Sequence, residues 1–162
     1  MSSKPRGNHD VSLTPGGNRG AAALAGRQHG VVSRGQLGEL GLNRDAIARR
    51  VASGFLQPLH GGRVYSVGAA PLTRRGLYLA AVLACGAGAA LSHRSAADLW
   101  GLRPSAARLE VTVSRGGRRL PGITTHPTRM LDPRDFTVEH GIRVTTIART
   151  LLDLAAVLAP ND

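Results

Sequence analysis

A chain of 162 residues with a formal net charge of +11 has room for one domain or two small ones, and 42% apolar residues are too many for a wholly disordered polymer. A single cysteine, Cys85, excludes an internal disulfide, and the longest apolar run, Leu77 to Ala84, is too short to cross a bilayer. Lys4 and Arg6 are followed by a polar Gly/Asn/Ser stretch where a secretory signal would be apolar, so the sequence predicts a soluble, cytoplasmic protein.

Residues 1–20 are rich in Gly, Pro, Ser and Asn without periodicity and read as a disordered tail. A short Ala-rich helix is expected from Ala21 to His29, stopped by Gly30, with Val31-Val32 extended behind it. Ser33 is an N-cap for a second helix whose inward residues are Leu37 and Leu40, and Asn43 caps a third helix, Arg44 to Ser53, stopped by Gly54. Phe55-Leu56 and Arg63 to Val67 are β-like, with Pro58 and Gly61-Gly62 between them as a loose hairpin signal. A boundary at 68–71 then separates a unit over 21–68 from a second over 72–160.

In that second unit Thr73 caps an apolar helix running to Cys85, Ala89 to Leu91 is extended, and Ser92 caps a helix through Trp100 that Gly101 ends. Leu109 to Val113 alternates as a strand, Gly116-Gly117 opens a basic loop, and Ile123 to His126 and Gly141 to Thr145 are further strands. Thr146 caps a last helix, Ile147 to Leu158, halted by Pro160. The fold class expected is α+β: an N-terminal winged helix-turn-helix followed by a small α/β domain with a short sheet and flanking helices.

Three short helices followed by a β-hairpin is the element order of a winged helix, and in a helix-turn-helix the second helix of the pair enters the major groove. That helix is Arg44 to Ser53. At 100° per residue Ile47 and Val51 point inward, Asp45, Ala48, Arg49 and Ala52 point away, and Arg44 and Arg50 flank the buried stripe. Small residues permit close approach to a groove, so Arg49 is the candidate for base contact and Arg44 and Arg50 for phosphate. Ser33 and Arg34 at the start of the preceding helix and Asp45 on the exposed face complete the set, with Arg63 at the hairpin tip reaching an adjacent groove. Residues 21–67 hold six Arg against Glu39 and Asp45. Twenty of the 21 basic residues are arginine, which forks onto phosphate and guanine where lysine is a point charge.

Residues 24–68 (LAGRQHGVVSRGQLGELGLNRDAIARRVASGFLQPLHGGRVYSVG) resemble the N-terminal domain of AbiEi-type antitoxins from type IV toxin–antitoxin (abortive infection) systems. The likeness continues through LSHRSAADLWGL (91–102) and VTTIARTLLDLA (144–155). It implies a winged helix on the operator of its own operon, acting as a transcriptional regulator on double-stranded DNA. It also implies a second domain that counteracts a partner toxin of the nucleotidyltransferase type. The wing departs from the family's His-Arg-Gly-Val-Tyr, reading His60-Gly61-Gly62-Arg63-Val64-Tyr65. Many relatives continue into a nuclease-like C-terminal domain, so the sequence, ending at Asp162, reads as a short form.

No enzyme is expected. The six histidines (9, 29, 60, 93, 126 and 140) include no i,i+4 pair and have no cysteine partner, so neither metal nor cofactor is expected. Glu110-Val111-Thr112 lacks the lysine of a Glu-x-Lys nuclease motif, and there is no Gly-x-Ser-x-Gly elbow. His93-Arg94 behind Ser92 reads as a capped, solvated helix start, Trp100 as core, and Arg149 with Asp153 as an i,i+4 bridge. Two alternatives stand beside the regulator: the DNA-targeting portion of a nuclease-like protein, and a remnant without activity.

Overall fold

The structure, a computed structural model, describes residues 15–104, 108–114, 120–128 and 132–158. The first half of the chain gives α1 (Pro15–Arg27), β1 (Val31–Ser33), α2 (Arg34–Glu39), α3 (Arg44–Ala52), β2 (Leu56–Leu59) and β3 (Val64–Val67). The second half gives α4 (Arg74–Cys85), β4 (Ala90–Leu91), α5 (His93–Leu99), β5 (Leu109–Ser114), β6 (Ile123–Thr128), β7 (Phe136–Glu139), β8 (Ile142–Thr145) and α6 (Ile147–Val157). The fold is α+β, as expected.

β1, β3 and β2 form an antiparallel sheet in that order. Side chains alternate across a strand, and here the alternation sorts them between two cores. Val32 and Tyr65 face a cluster with Leu37 of α2 and Ala46 and Ile47 of α3, while Val31 and Val64 face α4. α4 is apolar on nearly every side, with Tyr78 to Val82 and Ala84 buried. A helix apolar all round has to be covered all round, and α4 packs against β1 and β3 on one side and against β4, β5 and β8 on the other. Gly76 makes the close approach possible: a Cβ there would lie 2.7 Å from the His29 carbonyl oxygen. The units expected on either side of residues 68–71 therefore share a core.

The second sheet runs β6-β5-β4-β8-β7. β5 and β6 pair in parallel, as do β4 and β8, and the remaining pairs are antiparallel. Tyr78 of α4 donates to Asp98 of α5, and burial followed by that bond pushes the phenol up to about 12. α6 buries polar side chains beside Leu154 and leaves apolar ones outside. Thr150 and Asp153 are buried and Arg149 is half-buried, while Ile147, Leu151 and Leu152 are exposed.

Several expectations change. α1 begins at Pro15, six residues earlier than its Ala-rich core indicates, and residues 1–14 lie outside the described part of the chain. Leu40 is exposed, lying over Gly20 of α1. Pro58 sits inside β2, opposite Tyr65; β2 is an edge strand, where a residue without an N–H is tolerated. β7 was not expected, because Phe136-Thr137-Val138-Glu139 follows a proline-containing turn. The Gly116-Gly117 loop and Pro160 lie outside the described residues.

Candidate nucleic-acid interface

α2 and α3 are set by side-chain caps. Ser33 Oγ accepts from the Gln36 N–H at 3.2 Å while Gln36 Oε1 accepts from the Ser33 N–H at 2.8 Å, a reciprocal capping box. Accepting leaves the Ser33 hydroxyl hydrogen available to an outside acceptor. Asn43 Oδ1 accepts from the Ala46 N–H at 2.9 Å, so α3 starts at Arg44. The Arg34 N–H donates to the Arg63 carbonyl at 2.8 Å, tying the start of α2 to the hairpin.

On that frame Arg34, Arg44, Asp45, Ala48, Arg49 and Ala52 are exposed and Ile47 is buried, the face division that the helical period gives. Arg34 and Arg44 border one groove of about 360 Å³, walled by Ile47, Ala48, Val51 and Ala52 of α3 and by Tyr65 of β3. Two exposed cations thus border one groove whose wall is apolar and partly of small residues. Alternation along β3 puts Tyr65 on the face opposite Val64, toward α2 and α3.

Arg50 is placed otherwise than the sequence reading had it. It is 1% exposed, donates from Nε to Asn18 Oδ1 at 2.6 Å and from Nη1 to the Ala46 carbonyl at 3.0 Å, and is not available to a phosphate. At 100° per residue Arg50 sits beside Ile47, and α1, reaching back to Pro15, closes over that edge of α3. Gly17 makes room: a Cβ there would meet Leu42 at 2.8 Å and Arg50 Nη2 at 3.0 Å.

Arg63 is half-buried, and its hairpin tip is turned toward the second sheet. Leu59 packs on the core that α4 shares, the His60 ring bonds the Pro121 backbone, and the Arg63 charge draws the Cys85 thiol down against the larger upward push of burial. The apolar Leu59 explains the geometry, since it holds the hairpin inward.

A second polar assembly escaped the sequence reading. His93 is 7% exposed and stacks on His126 with ring centroids 3.5 Å apart at 15°. Its Nδ1 lies 2.9 Å from Ser92 Oγ and 3.9 Å from Asp153 Oδ2. Glu110 Oε2 accepts from the Arg94 N–H at 2.7 Å, and Oε1 lies 3.6 Å from His126 Nε2. Arg149 donates to Asp153 at 2.8 Å, the expected i,i+4 bridge, and also to Asp135 at 2.6 Å. Its members come from α5, β5, β6 and α6, so beyond the Arg149–Asp153 spacing on α6 no local pattern announces them. Burial first, then the neighbouring His126, holds His93 below its ordinary value. Burial pushes Glu110 up, but the His126 and Arg94 donors outweigh it and the carboxyl lies below its ordinary value. Ser92 and Asp153 approach the same imidazole nitrogen, whereas a nucleophile relay needs them on opposite nitrogens. Among the described residues no group of three or more His, Cys, Asp or Glu is arranged to hold a metal ion.

No protein-family model matches the chain, and no curated protein matches it in sequence.

Proposed function

We propose that the chain is a double-stranded-DNA-binding regulator of the antitoxin type, whose first half is a winged helix. The observation that carries this is that Arg34 and Arg44, both exposed, border one groove beside the exposed face of α3. That face offers Ala48 and Ala52 for close approach and Arg49 at its centre. Arg34 and Arg44 take phosphates, Ser33 donates to a third, and Arg49 meets base edges. Asp45, in the first turn of α3, contributes selectivity by repelling misplaced phosphates. Arg50 belongs to the interior in this reading, and Arg63 adds charge near the hairpin tip without entering a groove.

The net charge of +11 supports the same reading through counterion release. No helix among the described residues is long and apolar enough to cross a membrane. A partner toxin of the nucleotidyltransferase type rests on the sequence resemblance alone. The test is duplex binding by fluorescence anisotropy with an Arg34→Ala/Arg44→Ala double variant. A loss of affinity of tenfold or more on every duplex, with the fold intact by circular dichroism, supports the assignment; unchanged affinity refutes it.

A further inference from the structure

The groove beside α3 has an aliphatic wall. Arg44, Ala48 and Ala52 follow one another at four-residue intervals and so lie along one line of the helix, with Ile47 and Val51 along the next. Ala48 and Ala52 are exposed, Val51 is half-buried and Ile47 is buried. Tyr65 also lines the groove, but it is buried and its hydroxyl lies beside Gly62 in the hairpin, 3.2 Å from where a Cβ on that glycine would stand. The exposed Arg34 and Arg44 supply the charge at the border, and the four α3 residues of the wall offer no side-chain donor or acceptor.

Charge complementarity sets the occupant, since two exposed guanidinium groups match the phosphates that flank a major groove. A base edge lying against the wall then meets only carbon. In the major groove guanine, adenine and cytosine present carbonyl, ring-nitrogen and amine groups, and thymine alone presents a methyl group, on C5. A carbonyl or amine pressed on the wall gives up water for no new partner, whereas the methyl gives up no hydrogen bond and gains by burial. We infer, on the DNA reading above, that this groove selects a thymine by packing its 5-methyl group on Ala48 and Ala52.

The choice of alanine fits this task. Its side chain is short enough to let α3 come close to the base pairs and apolar enough to meet the thymine methyl. A serine at either place would offer a hydroxyl that any base could use, and the selection would weaken. Arg49, 100° further round α3 from Ala48, lies outside the residues that line the groove. Selectivity on this helix therefore divides into hydrogen bonding at Arg49 and an apolar contact in the groove, directed at different base pairs. The groove contributes as much by rejecting polar edges as by holding the methyl.

The test starts from a preferred duplex recovered with the full chain from a random-sequence library. Each thymine is replaced in turn by deoxyuridine, which removes the methyl and leaves every hydrogen-bonding group in place, and affinity is read by fluorescence anisotropy at fixed salt. At least one replacement is expected to weaken binding by about three- to tenfold, the size for burying one methyl-sized group. Cytosine at that position should bind more weakly than thymine, and 5-methylcytosine should recover a similar factor. In Ala48→Ser/Ala52→Ser the thymine and deoxyuridine duplexes are expected to bind alike. Both alanines are exposed, so this variant is not expected to unfold, and a thermal melt checks it. Salt-dependent duplex binding that is indifferent to every deoxyuridine, or a selected duplex without thymine, overturns the thymine contact and leaves the DNA reading standing. A deoxyuridine effect that persists in the double variant overturns it too, because the methyl is then read elsewhere. Absence of duplex binding overturns both.

Discussion

Arg50 of α3 donates from Nε to Asn18 Oδ1 of α1 at 2.6 Å, inside the protein. The bond locks the first turns of α1 onto the helix that is proposed to read DNA. Asn18→Ala removes a partner from a buried cation and is expected to destabilise the fold by about 1.5–3 kcal/mol, the range for hydrogen bonds to charged groups. Urea unfolding measures it. Replacing both groups, in Asn18→Leu/Arg50→Met, should recover much of the loss, because no buried charge is then left unpaired. A change under about 0.5 kcal/mol in Asn18→Ala would match an ordinary surface substitution and count against the bond.

Arg49 and Arg44 are expected to fail in different ways. Arg49→Ala should lower affinity for a preferred duplex by about 1–3 kcal/mol and relax selectivity at one base position. Arg44→Ala should weaken all duplexes alike and reduce the salt slope by about one unit. Competition binding against random duplex separates the two. Equal loss of selectivity in both variants would mean that Arg49 does not meet base edges.

The divide between what the sequence revealed and what it hid runs along locality. Capping at Ser33, Asn43, Thr73 and Thr146 depends on a side chain and an N–H three residues away, and all four caps form as expected. Ser92, by contrast, makes no side-chain cap, since its hydroxyl turns to His93 while Glu110, from a strand far along the chain, takes the Arg94 N–H. The fate of Arg50 was hidden for the same reason. Residues 15–20 have poor helix propensity, and only the tertiary fit of Gly17 and Asn18 against α3 makes them helical. The stacked pair of His93 and His126 had no sequence signal at all, because β5 and β6 had to pair before the rings could meet.

Acid should weaken the fold through His93 and Glu110. A histidine held below its ordinary value binds a proton less readily folded than unfolded, so its stabilisation is complete above about pH 6.5 and is lost as pH falls through the lower folded value. Glu110, also lowered, stabilises above the ordinary carboxylate range near about pH 4.3 and ceases to do so as pH falls below it. His93 is faced by Ser92 on its own segment, Asp153 and Arg149 from α6, Glu110 from β5 and His126 from β6, and the two carboxylates only partly offset its burial. The melting temperature should be level from pH 8 to 7, fall between about pH 6.5 and 5, and fall further below that. His93→Asn, which tolerates the left-handed backbone, should flatten the first decline. A wild-type melting temperature unchanged between pH 7.5 and 5 would contradict this placement of His93.

Glu110 should matter for stability and not for cleavage. Its carboxylate satisfies the start of α5, so Glu110→Gln is expected to be destabilising by about 1–2 kcal/mol. The purified chain should leave DNA and RNA intact with magnesium or manganese. Cleavage that co-purifies with the wild type and disappears in Glu110→Gln would make the protein a nuclease.

The central claim is that the basic chain meets duplex DNA through phosphate contacts organised by α2 and α3. Equilibrium affinity for duplex DNA across a salt series tests it most directly. The expected result is a log–log plot that falls linearly, with a slope of about −0.9 for each phosphate neutralised, and that becomes shallower in the Arg34→Ala/Arg44→Ala variant. Affinity independent of salt, or a slope that the double variant leaves unchanged, would contradict the account.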